Sequence, residues 1–224
     1  MRRACSAMLE RHLHAIRTED AGLEAPAATR ERLREAFPRG ATRRMTQLGL
    51  LLGSVLEGSM PEGDDTLVYA SSYAESLALE EYLASFPTPS PTLFQTSIHP
   101  SAVQQVLIAR QRAVRDFFPL TGGPRLVANA VQAAFLAASP RAILCGGEER
   151  GTWLRERGIA SSESFAFAVT LSRERAGANG ALTLTQTGDD SGELTLPQFF
   201  SALHRRTALH QPAAPGLMLT LRWN

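Results

Sequence analysis

The chain has 224 residues, 44% of them hydrophobic and 20% charged, enough apolar material for one large domain with a full core. Its formal charge is +1, with acids and bases mixed along the chain, so bulk charge gives it no hold on nucleic acid or an anionic membrane. All 23 basic residues are arginine, which excludes lysine Schiff-base chemistry, a phosphate-loop lysine and a lysine general base together.

Residues 1–10 are charged and lack the apolar centre of a signal peptide, and no later run is apolar for long enough to cross a bilayer. The two cysteines, Cys5 and Cys145, have no partners at metal-ligand spacing and suggest neither a zinc site nor a disulfide framework. These features predict a soluble protein of the reducing cytoplasm, with no cofactor and no metal.

In residues 4–17, Met8, Leu9, Leu13 and Ile16 stand at helical spacing, and residues 27–37 repeat this more weakly, so both segments are predicted as surface helices. They would form a helical extension over residues 1–40, ahead of a main domain over 41–224. Leu48, Leu50, Leu51, Leu52 and Val55 make residues 45–56 a core-facing helix ending before Gly58. Residues 65–71 predict a strand, 74–86 a helix, 102–111 a helix, 113–120 a strand and 124–138 a long alanine-rich helix. Strands follow at 142–145, 165–172 and 181–187, then a helix at 196–209 and a strand at 217–222. Alternating strands and helices predict an α/β fold, a mixed sheet with helices packed on both faces.

Three segments carry a resemblance: SPTLFQTSIHPSAVQQVLIARQ, FFPLTGGPRLVANAVQAAF and RAILCGGEE. In that order and spacing they resemble the N-terminal half of the ketosynthases of the thiolase superfamily. Over roughly residues 43–173 the likeness extends to the short chain-length factors found with aryl polyene and related polyketide or fatty-acid gene clusters. The resemblance implies a thiolase-like fold. Matching Leu126, Val127 and Ala128 to the family's Leu-Val-Ala places Gly122, flanked by Thr121 and Gly123, where an active ketosynthase has its cysteine. Glycine cannot be acylated, and the family's two catalytic histidines belong to a C-terminal half that this length does not accommodate.

The resemblance therefore implies a non-catalytic subunit that forms a heterodimer with a full-length ketosynthase and helps wall its acyl pocket. Phe94, His99, Phe117, Phe118 and Leu120 are the pocket or interface residues it suggests, with the segment 114–120 as the strand that pairs across the interface. An acyl carrier protein would be a further partner, with Arg110 and Arg112 as contacts for its acidic surface.

Other readings remain open at the level of sequence. Thr121, Cys145 or His99 would serve an independent α/β enzyme, and a homodimeric structural or binding protein is a third reading. Cys145 lies in an apolar run and reads as buried. Glu148 and Glu149 form a carboxylate pair whose members should point apart, and Gly146 with Gly147 reads as a strand-ending turn rather than a phosphate loop. His204 and His210 read as solvated residues in or beside the 196–209 helix.

Overall fold

The computed structural model describes residues 8–188 and 192–224. Cys5 lies outside them, as does the beginning of the helix predicted over 4–17. The described strands form one sheet: β1 (Met8–Gly22), β2 (Thr66–Ser71), β3 (Asp116–Thr121), β4 (Arg141–Glu148), β5 (Ser164–Ser172), β6 (Gly180–Gln186), β7 (Leu209–Ala214) and β8 (Leu217–Trp223). Their order is β3-β2-β4-β5-β1-β6-β8-β7. β2 is parallel to β3 and to β4, and every other pairing is antiparallel.

Side-chain alternation on the shared strands assigns residues to two cores. Leu67 and Tyr69 of β2, Ile143 and Cys145 of β4, and Ala166 and Ala168 of β5 face α2 (Gln47–Leu56) and α5 (Ser101–Ala109). Val68, Ala70, Leu144, Phe165 and Phe167 face α6 (Leu126–Leu136) and α8 (Leu196–His204). The expected mixed sheet with helices on both faces is the observed fold. α1 (Pro26–Leu33), α3 (Ser76–Ala84), α4 (Pro91–Ser97) and the short α7 (Trp153–Glu156) complete the helices. No helix among the described residues is long and apolar enough to cross a membrane.

The N-terminal helix prediction is wrong from Met8 onward. β1 lies inside the sheet, between β5 and β6. A register shift between Leu13 and Ala15 lets Leu9, Leu13 and Ile16 all pack on the α6/α8 core. Two alternating runs joined by a bulge thus reproduce a helix-like spacing of four and three. A boundary at residue 40 would cut β1 away from its own sheet, so residues 8–22 belong to the main domain. The helix predicted over 196–209 stops at His204, and Leu209 opens β7, an edge strand carrying Pro212. β4 runs on through Gly146 and Gly147 to Glu148, which corrects the predicted turn. Both glycines are needed there because a Cβ on Gly146 would lie 2.5 Å from the Ala70 carbonyl oxygen, and one on Gly147 would lie 2.3 Å from that of Phe165.

Candidate functional site

The turn that the resemblance singles out lies between β3 and α6, and the structure gives its geometry. The Gly122 amide donates to the Ser71 carbonyl at 3.1 Å, continuing the β3–β2 pairing for one residue. The chain then reverses through Gly122 (φ +67°), Gly123 (φ +72°) and Arg125 (φ +73°), left-handed conformations that glycine adopts without steric cost. At the head of α6 the Arg125 amide donates to a Glu193 carboxylate oxygen at 2.9 Å. Thr121 is exposed, and among the described residues no histidine hydrogen-bonds to it. The turn keeps backbone amides at a helix start but offers no side-chain nucleophile paired with a base.

Cys145 is fully buried, and burial pushes its thiol well above the ordinary range, which leaves it a packing residue. His204 lies at the end of α8, its Nδ1 3.0 Å from Thr18 Oγ1. His210 is on β7 rather than a helix, its Nδ1 2.9 Å from Thr220 Oγ1.

Among the described strands β3 is a sheet edge, paired only with β2, so its outer row of backbone groups meets no described strand. Phe117 packs against the α2/α5 core and Leu120 against the α6/α8 core. Phe118 is 43% exposed. Phe94 on α4 is 49% exposed and lies 5.4 Å, centroid to centroid, from Tyr82, which also meets the exposed Phe86 at 5.5 Å.

His99 is part-buried at the α4–α5 junction. Its ring stacks on buried Tyr69 at 5.0 Å, and its Nδ1 is 3.1 Å from the Glu75 carboxylate. Both His99 Nε2 and Tyr69 Oη are buried without a hydrogen-bond partner. The contact ties the α4–α5 junction to β2.

Four buried glutamates at the C-terminal end of the parallel strands escaped the sequence reading in whole or in part. Glu75, Glu80, Glu148 and Glu149 are each exposed by 3% or less. Glu75 accepts from the Ala102 amide at 3.0 Å, in the first turn of α5. Glu80 accepts from the Thr152 and Leu154 amides and the Thr152 hydroxyl at 2.6 to 2.9 Å, holding the start of α7. Glu149 accepts from Leu48 in α2 at 3.3 Å and from Ala78 in α3 at 3.2 Å. Glu148 accepts from the Ser71 hydroxyl at 3.0 Å and from the Ser72 and Tyr73 amides. Glu148 and Glu149 thus point apart, as successive strand-end residues should. Unpaired helix-start amides and the helix dipole favour the carboxylates of Glu75, Glu80 and Glu149, whereas Glu148 rests on the amides and hydroxyl at the end of β2. Desolvation still dominates, raising Glu148 to about 7 and Glu149 to about 8.

A cleft of about 710 Å³ opens between the 39–45 segment, α4 and α5. Arg39, Arg43 and Arg44 line it with Gln95, Gln104 and Gln105, and no carboxylate lines it. Arg110 contacts the Ala36 carbonyl, Glu57 at 3.8 Å and the Phe37 ring at 5.4 Å. Arg112 is exposed. Among the described residues no group of three or more His, Cys, Asp or Glu side chains is placed to hold a metal ion.

No protein-family model matches this sequence, and no curated protein matches it. Solved structures do. A ketosynthase (ApeO) in complex with its chain length factor (ApeC) from Xenorhabdus doucetiae contains a chain that superposes with a TM-score of 0.68 at 18% identity. The match covers 96% of this chain and 99% of that one. The chain has a ketosynthase-like fold. The ishigamide ketosynthase/chain length factor is a second match, with a TM-score of 0.55 at 12% identity over 79% of this chain and 65% of that one. In this thiolase-like architecture the Gly122 turn is the strand-to-helix junction where the resemblance placed the family's nucleophile.

Proposed function

We propose that the protein is a non-catalytic ketosynthase-like subunit, a chain-length factor, that pairs with an active β-ketoacyl synthase and shapes its acyl pocket in polyketide or fatty-acid-type biosynthesis of the aryl polyene kind. The observation that carries this reading is Gly122: in the turn between β3 and α6, the position matched to the family's cysteine has no side chain to acylate. The near-complete mutual coverage with a chain from a ketosynthase–chain length factor complex supports it, because that chain has almost the same length as this one.

In this reading the heterodimer forms along the open edge of β3, with Phe118 entering the interface. The α3–α4 surface bearing Phe86 and Phe94 extends the contact, and the buried His99–Glu75 pair holds α4 and α5 in place behind it. An acyl carrier protein docks its acidic surface on the Arg39, Arg43 and Arg44 cleft. The partner supplies the cysteine and histidines.

Co-expression with a full-length β-ketoacyl synthase encoded beside it, followed by size-exclusion chromatography with light scattering, tests this. A one-to-one complex that condenses acyl groups only when both chains are present is the expected result. A homodimer beside a ketosynthase that works unaided removes the reading.

A further inference from the structure

The 39–45 segment is anchored on one side and charged on the other. Phe37, Thr42 and Met45 are buried, and the Arg30 guanidinium donates to the Thr42 carbonyl at 3.4 Å and to the Met45 carbonyl at 3.3 Å. Arg39, Arg43 and Arg44 are left exposed, and all three line the cleft of about 710 Å³ that α4 and α5 complete. Among the described residues none of these three guanidiniums donates a hydrogen bond or lies within ion-pair distance of a carboxylate. Acids stand only in the adjoining cavities. Glu81 and Glu149 share one of about 120 Å³ with Arg30, Arg43 and Arg44, and Glu35 shares another with Arg39 and Arg43.

The remaining polar lining is neutral, with the amides of Gln95, Gln104 and Gln105. Gln105 carries a second observation: its side-chain oxygen, beside Gly49, is buried and meets no donor. A buried acceptor left unmet is costly, so the cleft lacks a hydroxyl or amine as well as an anion. Its volume is that of a small-molecule site, on the order of 300–1,000 Å³. Guanidiniums grip phosphate through paired N–H donors, and the three oxygens of a terminal phosphate can serve more than one arginine at once.

We propose that this cleft binds a small phosphorylated molecule, its phosphate oxygens shared among Arg39, Arg43 and Arg44. The site belongs to this chain alone and stands whether or not a ketosynthase pairs with it. A ligand here and an acidic carrier surface would draw on the same arginines and exclude one another.

Isothermal titration calorimetry of the isolated full chain with inorganic pyrophosphate tests it, at an ionic strength of about 0.15 M, where exposed charges are screened beyond about 8 Å. One site saturating below about 1 mM is expected, with a six-residue polyglutamate peptide binding about tenfold more weakly or worse. Arg43→Gln and Arg44→Gln replace exposed side chains, so each should keep the thermal midpoint and weaken pyrophosphate about fivefold or more. Arg205→Gln, exposed at the end of α8 and outside the cleft, should leave the affinity unchanged. Absence of saturation overturns the proposal, and so does equal weakening by Arg205→Gln, which would mean diffuse charge. Polyglutamate binding as tightly as pyrophosphate also overturns it and leaves carrier-protein docking standing. Ketosynthase pairing is read separately, from the co-expressed complex.

Discussion

Arg11 in β1 caps the end of α6 through the carbonyl of Phe135, which accepts from its Nη2 at 2.9 Å, and the same nitrogen reaches the Ala137 carbonyl at 3.1 Å. Arg11 is 2% exposed and pairs with no carboxylate among the described residues. Desolvation, and after it the nearby Arg173, lower its pKa, yet a guanidinium stays charged. Its counter-charge is the carbonyl end of the helix. Arg11→Ala removes this cap, leaves buried carbonyl oxygens unmet and opens a cavity, so it should cost about 2–4 kcal/mol. A urea-unfolding midpoint within error of wild type would disprove the assignment.

Glu80 plays the equivalent part for α7. Replacing it with Ala strands the Thr152 and Leu154 amides in a site where the carboxylate was 3% exposed, at a cost of about 1–3 kcal/mol. The loss should be local first. Limited trypsin digestion should cut faster at Arg155 and Arg157 in Glu80→Ala, while cleavage elsewhere keeps its wild-type rate. Unchanged cleavage at both arginines would show that α7 holds itself in place.

How far these features were legible differs by residue. Leu67 to Ala70 announced a strand buried on both faces, and Leu48 to Leu56 a helix on a core, because each buries a continuous apolar run. β1 was misread because its bulge puts Leu9, Leu13 and Ile16 on one face at helical spacing. β7 went unseen because a short edge strand containing Pro212 has little apolar signal. At the site, Gly122 was found by local pattern, and Glu148 and Glu149 were noticed as a pair. Their partners Ser71, Leu48 and Ala78 lie 71 to 101 residues away, beyond any local pattern. Glu75 and Glu80 resembled ordinary helix-surface charges and are buried only because α5 and α7 begin against them.

Stability should fall as pH rises through the neutral range. For Glu148 and Glu149 the folded pKa lies above the ordinary value of 4.5, so between those values the folded chain holds more protons than the unfolded one. The penalty begins near pH 4.5 and is complete above about 7 for Glu148 and about 8 for Glu149, on the order of 3 kcal/mol for Glu148. Glu24 runs the other way. Its hydrogen bonds to Arg32 lower its pKa, and that stabilisation is lost in acid. Urea midpoints measured at low salt should therefore peak in the mildly acidic range. A maximum above pH 8 would contradict the burial of the two carboxylates.

The interface reading makes a separable claim about Phe118. On an edge strand and 43% exposed, it can become Asp at little cost to the isolated fold, about 0.5 kcal/mol for a surface change. In a heterodimer the same carboxylate would be buried against the partner without a counter-ion. Phe118→Asp should keep the thermal midpoint of the isolated chain and weaken ketosynthase binding at least tenfold, about 1.4 kcal/mol or more. Undiminished binding would move the interface away from β3.

Gly122→Cys asks whether the missing atom is all that separates this chain from an enzyme. A Cβ on Gly122 would meet only the Ser72 carbonyl oxygen, at 3.8 Å, so a side chain has room. The strain comes from the left-handed φ of +67°, about 1–2 kcal/mol for a non-glycine residue. In a Cys5→Ser background, Gly122→Cys should fold and take up iodoacetamide while buried Cys145 stays unmodified, as mass spectrometry of the peptides would show. It should not catalyse condensation alone. A thiol alone is not enough: condensation also needs a base and a decarboxylating pocket, and among the described residues no histidine is bonded to the turn. Condensing activity from Gly122→Cys alone would mean that the chain carries its own acid–base machinery, and the non-catalytic reading would fall.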